Sequence, residues 1–193
     1  KTELPQVAKP NEPPFWKKIS SITISFAHGV STTPLQTAVA AAALMNGGKL
    51  IEPTFLPRTV EEADKVAQQV IQPSTSQDMR DLMEMNVAMG SGRRAEVEGF
   101  HVGGKTGTAE KVVNGRYDSS VRFNAFLSAF PIDKPEYVVL VVIDEPKPEE
   151  GKSSATAGLN AAPMVSAIIR RSAGFLGVEP RFGNGSQELS LTY

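Results

Sequence analysis

The strongest constraint on the fold of this chain lies in residues 99–115, which run GFHVGGKTGTAEKVVNG. The stretch ends in an Asn-Gly pair, the dipeptide most typical of a tight β-hairpin turn, and two valines come directly before it. A strand, a tight turn and a second strand are therefore predicted here. We expect the first strand at about His101–Val113, so that it carries the run Lys105–Thr108.

The same letters also fit a different pattern, the phosphate-binding P-loop Gly-x-x-x-x-Gly-Lys-Thr, over Gly99–Thr106. A P-loop needs a buried strand before the loop and a helix that starts at its Lys-Thr. Residues 93–98 (RRAEVE) are too polar for a central parallel strand, and Gly107 falls where the helix should begin. We therefore favour the hairpin and keep a P-loop nucleotide-binding protein as the third functional hypothesis.

Two more strands are predicted after the hairpin turn. The first, at about Arg122–Phe130, shows alternating side chains, and prolines in residues 131–135 mark the turn that follows it. The second, Tyr137–Asp144, is almost continuously apolar, which predicts a central strand buried on both faces. Hairpin connections predict that all three strands are antiparallel.

Three helices are predicted from capping residues and apolar spacing. The first is Pro34–Met45, capped by Thr33 and ended by two glycines, and its alanine content predicts nearly complete burial. The second is Ser76–Met89, with a capping box at residues 74–77, and the third is about Ala162–Phe175. The expected core faces are Met79, Leu82, Met83 and Val87 on the second helix, and Met164, Val165, Ile168, Ile169 and Ser172 on the third. The fold class is predicted as α+β, an antiparallel sheet with packed helices.

The rest of the chain is divided by composition. Residues 1–18 hold four prolines and are predicted to form a connector, with Phe15 and Trp16 packed onto the core. Residues 19–177 would form the main domain, and the polar residues 178–193 a loose tail. No element is predicted over residues 49–73.

Composition excludes several classes of function. The 193 residues carry a net charge of -1 without long runs of like charge, so no nucleic-acid partner is predicted. The absence of cysteine excludes disulfides and thiol catalysis. The two histidines, His28 and His101, lack ligand spacing and are assigned structural roles, so no metal and no cofactor are predicted. The longest aliphatic run, Ala38–Met45, is far shorter than the roughly 20 residues of a membrane span.

Lysine, threonine and glycine in this order on an exposed strand suit the binding of an anionic substrate. Lys105 supplies a positive charge, and the hydroxyls of Thr106 and Thr108 can bind a carboxylate. Gly107 leaves space for a substrate against the strand, and the backbone N–H of Thr108 can stabilise a developing oxyanion. The neighbouring Arg93 and Arg94 are close enough in sequence to reach the site, but a solvated loop is the favoured interpretation.

Several segments in the same order resemble those of one enzyme family. They are Ser25–Val30, Thr33–Gln36, Asn46–Gly48, Gly99–Ala109, Tyr137–Asp144 and Ala161–Pro163. With them, residues 20–182 resemble the C-terminal half of the transpeptidase domain of class B penicillin-binding proteins, of the cell-division type. Residues 153–158 (SSATAG) depart from the Tyr/Gly-rich loop expected before the last helix of that family.

The resemblance implies a peptidoglycan D,D-transpeptidase of division-wall synthesis with an acyl-serine mechanism. Lys105 and Thr108 would be catalytic, and Thr106, Gly107 and Thr108 would bind substrate. The implied partners are peptidoglycan stem peptides, β-lactam antibiotics and membrane proteins of the division complex. The implied location is the periplasmic face of the bacterial inner membrane.

The family also uses Ser-x-x-Lys and Ser-x-Asn motifs, and neither occurs in these residues. We therefore expect the chain to be a fragment that opens at Lys1, with the nucleophile and the rest of the domain upstream, and to be inactive alone. The upstream half of the same domain is thus a further expected partner. A non-catalytic binding or scaffold module of the same fold is the second functional hypothesis.

Overall fold

The computed structural model describes residues 2–4, 6–25, 29–148, 151 and 154–182. It divides the chain into two compact units, Lys1–Met79 and Arg80–Tyr193, and the division falls within a helix. The predicted domain limits at residues 18 and 177 stay predictions. Most of the predicted tail, residues 183–193, lies outside the described residues.

The first unit contains short elements and the beginning of the long helix α4. These elements are α1 (Lys18–Ser25), α2 (Pro34–Met45), β1 (Lys49–Leu50), α3 (Val60–Val66), β2 (Gln68–Gln69) and α4 (Pro73–Met89). Helix α2 has the predicted bounds because its first turn is fully capped. The Thr33 hydroxyl accepts the Gln36 N–H at 3.2 Å, and the Gln36 side chain accepts the Thr33 N–H at 2.8 Å.

The predicted burial of α2 is wrong. Only Ala41, Ala43 and Met45 are buried in it, because the chain covers chiefly its C-terminal end. There Ser76 donates to the Leu44 carbonyl at 2.6 Å and accepts the Gly47 N–H at 3.0 Å. Alanine content alone thus permits close packing along a helix without showing which part is packed.

The described part of the connector forms no helix or strand before Lys18, apart from one isolated bridge between Asn11 and Ser31. The predicted packing of Phe15 and Trp16 is wrong, since their exposed fractions are 78% and 62%. Two large apolar residues after a proline pair do not identify a buried anchor. Of the segment Ser25–Val30, which resembles one in the enzyme family, residues 26–28, with His28, lie outside the described residues.

The second unit is built on the predicted antiparallel sheet. Its strands are β3 (Gly103–Val113), β4 (Arg116–Phe130) and β5 (Tyr137–Asp144), in the order β3-β4-β5. The predicted hairpin is confirmed, with φ of +51° at Asn114 and +78° at Gly115, as a tight primed turn requires. Strand β4 begins six residues before the predicted Arg122 because pairing with β3 continues to the turn.

The prediction that Tyr137–Asp144 is a central strand is wrong. In the described sheet β5 lies at an edge and β4 is central, and Val141 is the one buried residue of β5. Val141, Val139 and Ile143 pack into the core, whereas the alternate apolar side chains of β5 stay half-buried. A continuous apolar run shows that a strand has two apolar faces, but it does not show whether both are covered.

Helix α4 begins at Pro73, so the predicted capping box at residues 74–77 is wrong. Ser76 lies inside the helix and is fully buried, where its hydroxyl binds backbone groups instead of capping. On the predicted core face Met83 and Val87 are buried, but Leu82 is 57% exposed.

The last helix, α5 (Ala161–Ser172), ends three residues before the predicted Phe175. Its buried apolar face contains Ala162, Val165 and Ile169, whereas Met164 and Ile168, expected in the core, are 48% and 37% exposed. The helix packs on the face of the sheet that contains Phe126, and this cluster is the core of the unit.

An ion pair holds the chain beyond α5 against the turn that follows β4. Arg181 donates to both carboxylate oxygens of Asp133, at 2.6 and 2.8 Å, and these hydrogen bonds lower the pKa of Asp133 below its usual value. A lowered folded-state pKa stabilises the fold above the unfolded value of about 3.9, and this contribution is lost as the pH falls through the folded pKa.

We therefore expect Asp133→Asn to weaken the fold near pH 7 and to have little effect near pH 2. Because both side chains are about half exposed, the difference at pH 7 should be about 0.2–1 kcal/mol. The test is to measure the unfolding free energy of the wild type and of Asp133→Asn by urea titration at several pH values between 7 and 2. Parallel pH profiles for the two proteins would contradict it.

Candidate active site

The Lys-Thr-Gly run lies on β3, the edge strand opposite β5. Lys105, Thr106, Gly107 and Thr108 pair in register with residues 127, 126, 125 and 124 of β4. Among the described strands, β3 has no neighbour on its other side, so that edge is open. Lys105, Gly107 and Thr108 are exposed, and Thr106 is half-buried. An extended ligand can therefore lie along this edge.

Strand alternation divides the predicted site residues between the two faces of the sheet. Thr106 and Thr108 share the face of Phe126 and Asn124, whereas Lys105 and Gly107 lie on the other face. The Lys105 ammonium donates to the Thr106 carbonyl at 2.8 Å, so it stays close to the strand edge. The structure thus brings the two threonines together and places the charge across the strand from them.

A cavity of about 420 Å³ lies beside the two threonines. The residues that line it include Ser91, Thr106 and Thr108, which carry hydroxyls, and Arg93 and Arg94, which carry guanidinium groups. No Asp or Glu is found among the described lining residues. A pocket lined by residues with hydroxyl groups and by two arginines suits a carboxylate. The earlier interpretation of both arginines as merely solvated is therefore incomplete.

A buried amide on β4 holds the loop that forms one wall of this cavity. Asn124 is fully buried and donates to the Ala155 carbonyl at 2.6 Å and to the Asn160 side chain at 3.1 Å. Asn160 in turn caps α5 by accepting the Ala161 N–H at 2.7 Å. The Thr108 hydroxyl accepts the N–H of Ala157, in the same loop, at 3.3 Å. The loop position is thus fixed by hydrogen bonds on both sides.

Sequence reasoning missed Ser91 on the other wall of the cavity and Asn86, which is hydrogen-bonded to it. The Ser91 hydroxyl lies 2.9 Å from the Thr106 hydroxyl, and Asn86 contacts both Ser91 and the Gly104 carbonyl. Residues 90–92 directly follow the predicted helix Ser76–Met89, and the sequence analysis assigns them no role in the site. A serine between two glycines next to a helix end was the available signal, but nothing in the sequence indicated its partner.

A second cavity, of about 380 Å³, has a different character. It is lined by Glu84, Glu96, Glu98, His101 and Arg181, among other residues. The described residues contain no group of three or more His, Cys, Asp or Glu side chains that could hold a metal ion. The backbone carbonyl of His101 accepts the Ile132 N–H at 2.7 Å, which fits the structural role predicted for this residue.

The P-loop hypothesis is wrong. A P-loop needs a helix that starts at its Lys-Thr, but β3 continues through Lys105 to Val113. The strand also begins at Gly103, inside the stretch that a P-loop would form around phosphates.

In the described part of the chain, no helix is both long enough and apolar enough to cross a bilayer.

Comparison with known proteins gives consistent matches. The sequence model of one protein family, the penicillin-binding protein transpeptidase domain, matches residues 1–170. Stage V sporulation protein D of Bacillus subtilis is 40% identical over 172 residues, which cover 84% of this chain and 26% of that protein. The probable peptidoglycan D,D-transpeptidase FtsI of Caulobacter vibrioides is 36% identical over 189 residues, 93% of this chain and 32% of that protein. The chain therefore spans about a quarter to a third of the length of these curated relatives.

A solved structure confirms the similarity in three dimensions. The apo transpeptidase domain of penicillin-binding protein 3 from Burkholderia pseudomallei superimposes with a TM-score of 0.83 at 30% sequence identity. The match covers 95% of this chain and 55% of that one. The predicted α+β class is confirmed by this match.

Proposed function

The chain belongs to the penicillin-binding-protein transpeptidase family, and on that premise we propose that it forms the Lys-Thr-Gly wall of a peptidoglycan D,D-transpeptidase site. One observation carries the proposal: Lys105, Gly107 and Thr108 are exposed on the open edge of β3, next to a cavity whose lining residues include two arginines and several residues with hydroxyl groups. This arrangement supports the capture of an extended peptide that ends in a carboxylate.

In the proposed reaction a serine outside this sequence attacks the penultimate carbonyl of a D-Ala-D-Ala stem peptide. The peptide C–N bond breaks, and D-alanine leaves with the proton of the serine hydroxyl. An amine of a second stem peptide then attacks the acyl-serine ester; the bond to the serine oxygen breaks, and this oxygen takes a proton from the amine. The Thr108 hydroxyl binds the terminal carboxylate, and the Thr108 N–H supplies half of the oxyanion hole. Lys105 stabilises negative charge from the other side of the strand.

The nucleophile must come from another part of the protein because these 193 residues contain neither Ser-x-x-Lys nor Ser-x-Asn. Strand β5 offers a place for that part to pack. It lies at an edge of the described sheet, and Val138, Leu140 and Val142 on it are half-buried apolar residues that share one face. We propose that the upstream half of the same domain covers this edge and face.

The proposal also covers the cellular location and the partners of the full-length protein. The full-length protein would act at the periplasmic face of the bacterial inner membrane, together with membrane proteins of the division complex, and β-lactams would acylate it in place of the stem peptide. The similarity to a probable peptidoglycan D,D-transpeptidase supports the proposed activity of the full-length protein.

Labelling with a fluorescent penicillin tests the proposal. We expect the full-length protein to be labelled covalently and this chain alone to remain unlabelled, because the chain lacks the serine. Excess unlabelled penicillin should abolish the signal, and heat-denatured full-length protein should give none. A folded full-length protein that is never labelled would overturn the proposal in favour of the non-catalytic scaffold module.

A further inference from the structure

The side chain of Asn86 can take one orientation only. Its Nδ2 atom lies 2.7 Å from the Gly104 carbonyl oxygen, which can only accept a hydrogen bond. The amide nitrogen must therefore point at β3, and Oδ1 points at Ser91. There Oδ1 accepts the Ser91 N–H at 3.2 Å. The orientation of this amide thus follows from its partners.

This orientation determines where the Ser91 hydroxyl proton lies. Ser91 Oγ is 3.2 Å from Asn86 Oδ1 and 2.9 Å from Thr106 Oγ1. If Ser91 donated to Thr106, its lone pairs would face the acceptor Oδ1 of Asn86. If Ser91 donates to Asn86 instead, both contacts are hydrogen bonds. The second arrangement is favoured because it leaves no pair of acceptors in contact.

The proton of Thr106 then has a fixed place as well. The single hydroxyl proton of Ser91 is donated to Asn86. The 2.9 Å contact between the Ser91 and Thr106 hydroxyls is therefore a hydrogen bond only if Thr106 donates to Ser91. The Thr106 oxygen consequently turns its lone pairs toward the cavity. A carboxylate that approaches it meets an acceptor, not a donor.

Thr108 differs from Thr106 in this respect. Its hydroxyl oxygen accepts the Ala157 N–H at 3.3 Å, and this contact uses a lone pair and leaves the proton free. Both threonines line the same cavity and share one face of the sheet. Two side chains of the same type are therefore held in opposite hydrogen-bonding states.

The position of Ser91 is enforced by its neighbours. A Cβ atom built on Gly158 would lie 2.7 Å from the Ser91 carbonyl oxygen, so the loop before α5 packs directly on the Ser91 backbone. A Cβ on Gly92 would lie 2.9 Å from Asn86 Nδ2 and 3.2 Å from the Phe126 ring. The serine is thus held between the helix end, the loop and β3.

We propose that Asn86 and Ser91 form a hydroxyl relay that keeps Thr106 as an acceptor toward the site and leaves Thr108 as the hydroxyl that donates to an anionic ligand. Ser91 is thereby a positioning residue, which acts through Thr106. Binding a carboxylate through Thr106 breaks one bond of the relay. This inference rests on the proposed function, since it concerns how the same site binds the carboxylate of a stem peptide or a penicillin.

A double-mutant cycle in the full-length protein tests the relay. The measurement is the second-order rate constant of acylation by benzylpenicillin and by its methyl ester, for Ser91→Ala, Thr106→Val, their combination and Thr108→Val. The ratio of the two rate constants isolates the contact with the carboxylate, because the ester carries no charge. Thermal melts verify that each variant is folded.

We expect Ser91→Ala to raise this ratio about fivefold to tenfold, since it frees the Thr106 proton for a charge-assisted hydrogen bond. Thr106→Val should change the ratio less than about threefold in the wild-type background and should abolish the gain in the Ser91→Ala background. Thr108→Val should lower it about tenfold or more in both. The conservative variant Ser91→Thr, which retains the hydroxyl, should show the same ratio as the wild type.

Three results would overturn the inference. They are an unchanged or lower ratio in Ser91→Ala, equal losses for Thr106→Val and Thr108→Val in the wild-type background, and additive effects of Ser91→Ala and Thr106→Val. A wild-type full-length protein that benzylpenicillin does not acylate would overturn the proposed function itself, and the relay with it.

Discussion

Replacing Lys105 by alanine in the full-length protein is expected to slow acylation by penicillin about 10²–10³-fold while the protein remains folded. The ammonium lies beside the open edge of β3, and its one described hydrogen bond is to the Thr106 carbonyl at 2.8 Å. Because the side chain is exposed and bridges no separate elements, its loss should change the unfolding free energy by less than about 0.5 kcal/mol.

Lys111 provides the matched control on the same strand. It donates to Asp144 at 3.0 Å and to Glu145 at 2.7 Å, and these hydrogen bonds raise its pKa. Lys111→Ala should therefore leave the acylation rate near that of the wild type. Stopped-flow acylation kinetics of both variants and of Lys105→Arg would separate the effect of charge from that of shape. If Lys105→Ala were acylated as fast as Lys111→Ala, the proposed role of Lys105 would be wrong.

Local structure could be predicted from the sequence wherever it depends on residues that are neighbours along the chain. The hairpin turn at Asn114 and the capped start of α2 follow from dihedral preferences and local hydrogen bonds, and both are confirmed. Local signals could have given more: Thr59 and Glu62 form a complete capping box for α3, in a stretch where no element was predicted. Helix α3 is short and has no buried residues, so its sequence lacks the apolar periodicity that would have revealed it.

The errors concern which surfaces are covered, and this depends on partners distant in sequence. Phe15 and Leu82 are apolar yet exposed, and β5 is apolar on both faces yet lies at an edge of the described sheet. Periodicity shows that a face is apolar, whereas burial requires another surface to pack against it.

The site shows the same division between local and distant information. The Lys-Thr-Gly run was found from sequence because its residues are consecutive. The relay was not, because Asn86 contacts Gly104, 18 residues away, and Ser91 contacts Thr106, 15 residues away. Neither spacing has a local pattern. Strand alternation implies that Lys105 and Thr106 point to opposite faces of the sheet, but the sequence analysis did not draw this consequence.

Two glycines of β3 separate the requirements of the fold from those of the site. We expect Gly104→Ala to lower the unfolding free energy by about 3 kcal/mol. The new Cβ would lie 2.7 Å from Cζ of Phe126 and 2.8 Å from the Leu127 carbonyl oxygen. Phe126 is fully buried in the core, and the carbonyl belongs to the paired strand β4. Relief of the clash would need either group to move, so packing or strand pairing is lost.

Gly107→Ala is the matched substitution three residues along the strand. Its Cβ would meet the nearest atoms, Cβ and the carbonyl oxygen of Ala125, at 3.8 Å, an ordinary contact. The lower conformational entropy of the unfolded chain should then stabilise the fold by about 0.4–1 kcal/mol. The methyl group would nevertheless occupy the exposed surface on which the substrate is proposed to lie, so acylation by penicillin should fall about tenfold.

Thermal melts and acylation rates of both variants of the full-length protein test this pair of expectations. Gly104→Ala should lower the melting temperature and Gly107→Ala should raise it slightly, so the direction of the shift distinguishes the two variants. A stable Gly104→Ala protein would mean that β3 can move away from Phe126. A Gly107→Ala protein acylated at the wild-type rate would show that the ligand does not lie against this part of β3. Because one substitution tests the sheet and the other tests the ligand surface, either failure would identify which of the two arguments is wrong.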